Sequence, residues 1–352
     1  MEKNLLFAAL AVVAMASCTK NEISQSTRTN EIKFTTPVLA RHTKSVEIDG
    51  NIYPTTAPSF NVYAWYNSEA TFTASTASPY MSKVKVSYDS NIHDSEDVGD
   101  GAWISNPVYY WPKQGVLTFD AYSPSDLSGI VTADATDGIK VENHTVATTL
   151  ANQQDFLYAT RAKDKTSSKG TTNGTYDGID IAFNHALAVV KFQAKTADNY
   201  SSTTTIAIKD IKLKSINNKG TFEQSEGTSS PAWSSQSGSE TYVALENDNP
   251  STSTVVNTTL SPVGSSVIVL PQTFDASTQE LYIEYYIKTT ASDYILQKQP
   301  FYLNTTQISS AVYSWEMGKR YTYNLVFSLD KVYFAPSVEP WDDETVDQID
   351  VK

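Results

Sequence analysis

The chain has 352 residues, with 26 basic and 39 acidic side chains, a formal net charge of −13 and one cysteine. The acidic balance excludes nucleic acid as a partner, because binding a polyanion requires lysines and arginines that displace its counterions. The single cysteine excludes a disulfide framework within the chain, and the four histidines leave little material for a catalytic or cofactor site.

The N-terminus has the pattern of an export signal. Lys3 precedes an apolar run from Leu5 to Ala14, which is too short to span a bilayer. The small residues at 15–17 directly precede Cys18. This order resembles the bacterial lipobox, in which the cysteine is acylated on sulfur and becomes the new N-terminus. We therefore predict a signal peptide at 1–17 and lipidation at Cys18. The alternative is an ordinary signal peptide with an incidental cysteine.

A polar tether at 18–30 leads into the first strand-like segment. Ile32 and Phe34 alternate with polar neighbours, which is the period of a half-buried strand. Pro37 restricts the segment to a sheet edge or a bulge, and Val38 with Leu39 continues the apolar pattern.

The rest of the chain predicts an all-β sandwich architecture, because short β-rich runs recur between turn signals. These runs are 60–66, 117–122, 187–194, 204–213, 267–270, 281–287 and 321–327. The region 221–240 is rich in Ser, Thr and Gly and is predicted to be loop. The length suffices for two domains, which we place at 31–182 and 183–352, after the polar stretch 163–178.

Three other clusters favour structural interpretations over functional ones. The acidic loop 94–101 offers oxygen ligands but lacks the ligand spacing of a calcium loop, so a solvated loop is preferred and no metal is predicted. The aromatic residues Trp103, Tyr109, Tyr110 and Trp111 favour core packing over an exposed sugar platform. His185 is interpreted as a structural histidine.

Several local patterns, taken in their order and spacing, resemble the fimbrillin family, the type V pilins of gut and oral Gram-negative bacteria. They are the lipobox and the stretches 109–124, 155–159, 183–188, 269–272 and 338–341. The resemblance implies two tandem transthyretin-like β-sandwiches. It also implies a lipidated precursor at the outer membrane, from which an arginine-specific protease removes the first strand. A strand from another subunit, usually its C-terminal segment, then fills the groove.

Carried onto this chain, the resemblance places the cut between Arg41 and His42, because Arg41 directly follows the strand-like segment. The cut would remove residues 31–41, including Ile32, Phe34, Val38 and Leu39. Cutting at Arg28 would leave the strand in place. The alternative is that Arg41 is an ordinary surface arginine.

The C-terminal tail 331–352 is the candidate donor strand, with Val332, Phe334, Val338 and Trp341 as its apolar residues. Val346, Ile349 and Val351 follow among acidic residues, and because their spacing is not a strict alternation it counts against polymerisation. The alternative is that the tail forms the last strand of its own sandwich, followed by a solvated acidic end.

The sequence thus predicts a non-enzymatic structural subunit of fimbriae that supports adhesion, first at the outer membrane and then in an extracellular fimbrium. Its expected partners are other fimbrial subunits, the arginine-specific protease, the membrane through its lipid, and a host or bacterial surface receptor. The alternative is a surface lipoprotein or tip adhesin that binds a glycan or host protein and does not polymerise.

Overall fold

The structure is a computed structural model that describes residues 30–35, 37–39, 59–90, 102–167, 171–172, 175–176, 178–200, 204–226, 230–290, 293–304, 313–329 and 332–341. It confirms the all-β class. Within these ranges there is no α-helix, and the helical turns are two short 3₁₀ segments, Ala74–Thr76 and Leu150–Asn152. No helix found in the described part of the chain has the length and apolarity needed to cross a membrane.

The described part of the N-terminal half contains thirteen strands. They are β1 (Lys33–Phe34), β2 (Val38–Leu39), β3 (Phe60–Asn67), β4 (Ser78–Asp89), β5 (Ala102–Asn106), β6 (Val116–Ser123), β7 (Ile130–Asp134), β8 (Gly138–Thr145), β9 (Leu157–Ala159), β10 (Ala162–Lys165), β11 (Thr171–Thr172), β12 (Thr175–Tyr176) and β13 (Ala182–His185).

Nine of these strands form one sheet, in the order β1-β5-β4-β3-β6-β9-β13-β2, with β10 added on β6. β6 is buried along its whole length, because it pairs with β3 on one side and with β9 and β10 on the other. Its neighbour β3 is buried at seven of its eight positions. These two strands form the centre of the N-terminal core, which also holds Ile32, Phe34 and Leu39.

The two ends of this sheet are occupied by the same short piece of chain. β1 lies at one end of the strand order and β2 at the other, although only residues 35–37 separate them in sequence. A segment that pairs with both ends closes the sheet on itself, as in a barrel. Pro37 lies between the two strands, which fits its predicted place at an irregularity.

Among the residues that the structure describes, the C-terminal half contains twelve strands. They are β14 (Ala188–Thr196), β15 (Thr204–Ile216), β16 (Lys219–Glu223), β17 (Ala232–Ser237), β18 (Glu240–Glu246), β19 (Thr254–Val255), β20 (Ser261–Pro262), β21 (Val267–Val269), β22 (Glu280–Thr289), β23 (Ile295–Tyr302), β24 (Lys319–Phe327) and β25 (Val332–Pro340).

Ten of them form a sandwich of two five-stranded sheets. One has the order β20-β14-β24-β25, with β21 also on β14, and the other has the order β18-β15-β22-β23, with β19 on β15. The rings of Tyr285 on β22 and Phe327 on β24 meet across the sandwich, with 5.2 Å between their centroids. Each strand run predicted from the sequence falls on one of the observed strands.

A four-stranded sheet joins the two halves, in the order β17-β16-β8-β7. The prediction of loop at 221–240 is therefore wrong. β16 pairs with β8 of the N-terminal half, which supplies the backbone partners that a Ser- and Thr-rich segment needs to be extended. Phe222 packs on Phe156 and Trp233, so the strand also buries an apolar face. The division into two domains at 182/183 stays a prediction.

Buried glutamines add further links between the halves. The side chain of Gln153 accepts a hydrogen bond from the N–H of Ile268 at 2.8 Å and donates to the same residue's carbonyl at 2.9 Å. Gln224 accepts from the N–H of Ile139 and donates to the carbonyl of Ala159. Because buried polar groups are costly unless paired, these links hold the halves in one arrangement.

Candidate functional site

The first segment (residues 30–35 and 37–39) is bonded along one side to the aromatic stretch that follows β5. The N–H of Ile32 donates to the carbonyl of Tyr109 at 2.8 Å, and the N–H of Trp111 donates to the carbonyl of Asn30 at 2.9 Å. The side chain of Asn30 also donates to the carbonyl of Trp111. β1 then continues antiparallel to β5, with Phe34 opposite Trp103.

Its other side is bonded to the stretch that leads into β13. The N–H of Ile179 donates to the carbonyl of Lys33 at 2.9 Å, and the N–H of Thr35 donates to the carbonyl of Ile179 at 3.1 Å. β2 runs parallel to β13, with Leu39 opposite Phe183. The segment therefore satisfies backbone groups on two edges that would otherwise face each other across a gap. We call this gap, with its lining, the seat of the first segment.

The apolar side chains of the segment belong to the core. Ile32, Phe34 and Leu39 are between 2% and 4% exposed. The ring of Phe34 stands edge-on to Phe60 and Phe119, with centroid distances of 5.9 and 6.1 Å. Full burial of such a side chain contributes about 1.5–3 kcal/mol, so the segment is a structural part of the N-terminal half.

A glycine permits this close approach. Gly178 has a φ of +113°, and a Cβ placed there would lie 2.7 Å from the nitrogen of Thr35. Both the backbone angle and the contact exclude other residue types. The sequence reasoning missed Gly178, Ile179 and Asp180 as parts of the seat. The available signal was the alternation of Ile179, Ile181 and Phe183, all buried, directly after a polar stretch.

The aromatic stretch beside the seat places some of its side chains in the core and others outside it. Trp103 and Trp111 are 1% and 4% exposed and lie in the core, as the packing interpretation predicted, whereas Tyr110 is 48% exposed and the interpretation is wrong for it. Outside, the ring of Tyr80 lies 6.2 Å from that of Tyr109, and its hydroxyl donates to the carbonyl of Tyr110. Burial, and then Tyr109, raise the pKa of Tyr80. Tyr80 thus contacts, from its exposed side, the edge with which the first segment pairs.

Some predicted residues lie outside the described part of the chain. These are the lipidation residue Cys18, the processing residues Arg41 and His42, and the acidic loop 94–101. The backbone of Val38 pairs with that of Ala182, and the side chain of Val38 is not among the described parts of the chain.

Three candidate donor residues, Val332, Phe334 and Val338, lie on β25 in the chain's own C-terminal sheet, and Trp341 directly follows that strand. β25 pairs antiparallel with β24 along its whole length, with the backbone of Phe334 opposite Leu325. Val332 is 4% exposed and Val338 is 48% exposed. β25 is therefore the last described strand of its own sandwich, which was one of the two predicted alternatives for this part of the tail.

Trp341 fixes the end of β25. It is fully buried, and its N–H donates to the carbonyl of Gly318 at 3.0 Å. Its ring stacks on that of His185, with 3.9 Å between the centroids and 13° between the planes. His185 is itself held by Asp155, 2.8 Å away, as expected of a structural histidine. Trp341, the last residue that the structure describes, therefore lies beside β13.

Comparison with known proteins adds a family and a fold. The family described as Fimbrillin-like matches residues 13–341. A fimbrial protein from Bacteroides vulgatus is similar in structure, with a TM-score of 0.58 and 17% identity, over 88% of this chain and 99% of that one. A protein from Bacteroides uniformis assigned to cell adhesion has a TM-score of 0.50 and 13% identity, over 88% of this chain and 98% of its own. No curated protein matches.

Proposed function

We propose, because the chain belongs to the fimbrillin-like family, that it is a structural subunit of cell-surface fimbriae and is assembled by donor-strand exchange. The observation that carries the proposal is the place of the first segment. It closes the N-terminal sheet from both ends, it lies near the start of the chain, and an arginine follows it at position 41.

The precursor is lipidated at Cys18 and carried to the outer membrane, where the segment keeps the seat filled. A cut after Arg41 separates the segment from the body of the protein. Its departure exposes the backbone groups of Tyr109, Trp111 and Ile179 that it had satisfied, together with the pockets of its apolar side chains. Exposed strand edges of this kind accept a strand from another chain.

The proposed contact propagates because it is heterologous. The acceptor surface lies in the N-terminal half, and the donor comes from the C-terminal end of another subunit. Contacts between two different surfaces do not close on themselves unless a ring forms, so repeated addition gives a filament. Extracellular fimbriae and adhesion through them follow from this assembly.

The test is digestion of the soluble precursor, residues 19–352, with an arginine-specific protease. We expect a new N-terminus at His42, followed by detergent-resistant ladders on gels and filaments by negative-stain microscopy. Arg41→Ala should block both, whereas Arg28→Ala is the matched control and should block neither. Ladders from an Arg41→Ala chain that keeps its first segment would contradict the proposal.

A second function, a tip or surface adhesin that accepts a strand but donates none, is favoured by one observation. β25 pairs with β24 in its own sheet, with Val332 buried on it and the buried Trp341 directly after it. A clean cut at Arg41 that yields only monomers would support this alternative over the polymerising subunit.

A further inference from the structure

A row of tyrosine rings lies on the outside of the N-terminal half. The ring centroids of Tyr66 on β3 and Tyr80 on β4 are 6.4 Å apart, and those of Tyr80 and Tyr109 are 6.2 Å apart. All three rings pack on the N-terminal core and stay partly exposed. Tyr110 and Val108, on either side of Tyr109 in sequence, are 48% and 46% exposed. We call these five residues the tyrosine patch.

The phenol hydroxyls of the tyrosine patch differ from that of a buried tyrosine. The hydroxyl of the buried Tyr122 accepts a hydrogen bond from the side chain of Asn61 at 2.7 Å. Such pairing is usual, because a buried hydroxyl without a partner is costly. Within the part of the chain that the structure describes, the hydroxyls of Tyr66, Tyr109 and Tyr110 make no hydrogen bond. They face water and can exchange it for the polar groups of a ligand.

The tyrosine patch is also poor in charge. The stretches that supply most of it, 78–82 and 106–112, contain no acidic or basic residue, although the whole chain has a net charge of −13. Contiguous exposed apolar surface of this kind marks an interaction site. Because these stretches offer no partner for an ion pair, the ligand that fits them is neutral.

Contacts on two sides hold the tyrosine patch in place. The hydroxyl of Tyr80 donates to the carbonyl of Tyr110. The carbonyl of Tyr109 accepts a hydrogen bond from the N–H of Ile32, in the first segment. Tyr66 and Tyr80 belong to the paired strands β3 and β4. A surface that is ordered in advance loses little conformational entropy when it binds a ligand.

We propose that the tyrosine patch binds a neutral glycan. The face of a hexopyranose ring presents C–H groups, which pack on aromatic rings, and its rim presents hydroxyls, which exchange hydrogen bonds with phenols. The spacing of the rings of Tyr66, Tyr80 and Tyr109 is of the order of one hexose unit, so consecutive units of an unbranched chain can stack along the row. Tyr110 adds the most exposed ring. The inference goes beyond strand exchange and needs neither cleavage nor assembly.

The test uses the uncut precursor, residues 19–352, and four unbranched neutral hexasaccharides, made of glucose, mannose, galactose and N-acetylglucosamine units. Binding is measured by isothermal titration calorimetry. We expect at least one hexasaccharide to bind. Tyr110→Ala should weaken that binding by about tenfold or more, because an aromatic contact is lost. Tyr66→Phe removes only a hydroxyl and should weaken it by about threefold or more. Failure of all four hexasaccharides to bind would overturn the proposal.

Tyr313→Ala is the matched control. Tyr313 has the same exposed fraction as Tyr110, 48%, but lies in the C-terminal half. The change should leave the affinity for the hexasaccharide unchanged within error. Because both side chains are half exposed, neither alanine variant should shift the urea midpoint of unfolding. Equal weakening by Tyr110→Ala and Tyr313→Ala, or no weakening by Tyr110→Ala and Tyr66→Phe, would overturn the assigned site.

Other partners are separated by three further probes of the same uncut protein. Heparin tests a polyanion, phosphatidylcholine vesicles test an apolar surface, and sedimentation tests a second copy of the chain. Binding or self-association that Tyr110→Ala abolishes, without binding of any hexasaccharide, would overturn the assigned ligand class. Since no cut is made, failure of strand exchange leaves these results unchanged, and failure of glycan binding leaves the proposed function untouched.

Discussion

The ring of Phe34 stands edge-on to the ring of Phe60, with 5.9 Å between their centroids and 89° between their planes. Phe34 belongs to the first segment and Phe60 to the buried strand β3. The first segment is thus packed into the centre of the N-terminal half. A first segment that lay on the surface could be removed without disturbing the core. Removal of this first segment opens the core.

The first prediction concerns Phe34. Phe34→Ala should lower the free energy of unfolding of the uncut protein by about 3–5 kcal/mol, as is usual when a buried phenylalanine is truncated. The measurement is urea denaturation. Lys33→Ala, a change to the half-buried neighbour, is the control and should have a much smaller effect. In protein that has been cut and has lost the segment, neither change is present, so stabilities should be equal.

The second prediction concerns Gly178. Gly178→Ala should loosen the first segment by about 1–3 kcal/mol, because alanine is strained at a φ of +113° and its Cβ would press on Thr35. Cutting at Arg41 should become faster. Gly264→Ala is a control, since Gly264 also has a positive φ, of +70°, but lies against Ala244 in the other half. Equal acceleration by both variants would show that general destabilisation is the cause.

The third prediction concerns pH. Burial lowers the pKa of His144 to about 4, against an ordinary value of 6.5. Between about pH 6.5 and pH 4, the unfolded chain therefore binds a proton at this histidine that the folded protein does not bind. The free energy of unfolding falls as the pH drops through this window. Between pH 7.5 and pH 5 the loss is about 2 kcal/mol.

His144→Gln should remove this part of the acid sensitivity, as measured by denaturation at the two pH values. The ring of His144 also packs 5.5 Å from Phe156 and 5.6 Å from Trp233, so the variant will be less stable at pH 7.5. The decisive quantity is the slope of stability with pH. An unchanged slope would show that other groups cause the acid sensitivity.

The fourth prediction concerns a buried ion pair. Arg161 binds Asp120 through two hydrogen bonds of 2.8 and 2.9 Å, and it donates to the carbonyl of Ala135 in the turn between β7 and β8. Asp120→Asn leaves the arginine charge uncompensated and should cost about 3–5 kcal/mol. Changing Arg161 to Met in addition should recover part of that loss. A double variant as unstable as the two single changes combined would contradict this coupling.

A matched control for that pair lies on the surface. Lys140 and Glu142 are 3.1 Å apart, with side chains that are 41% and 44% exposed. Exposed ion pairs contribute little to stability because water screens them. Glu142→Gln should therefore leave the denaturation midpoint unchanged within error.

The strands of the first segment could be predicted from the sequence, but the residues that they pair with could not. The alternation of Ile32 and Phe34 and the place of Pro37 are local patterns, and the structure has β1, β2 and an irregularity there. Ile179 lies 144 residues beyond Thr35, to which it bonds. Such pairing depends on the whole sheet closing, which no local pattern encodes.

The error at 221–240 has a physical cause. Abundant Ser and Thr predict a loop there, yet both residue types are accepted in strands such as β16 when a neighbouring edge supplies hydrogen bonds.

The most direct test of the central claim is amide hydrogen exchange in the cut protein. The N–H groups of Trp111 and Ile179 donate to the first segment, whereas that of Ala186 donates to Phe156 and serves as an internal control. We predict that protection at Trp111 and Ile179 is lost when the segment leaves and returns when the peptide 30–40 is added, with Ala186 unchanged. Protection at Trp111 and Ile179 that persists in protein shown to lack the segment would contradict the claim that this strand completes the N-terminal sheet.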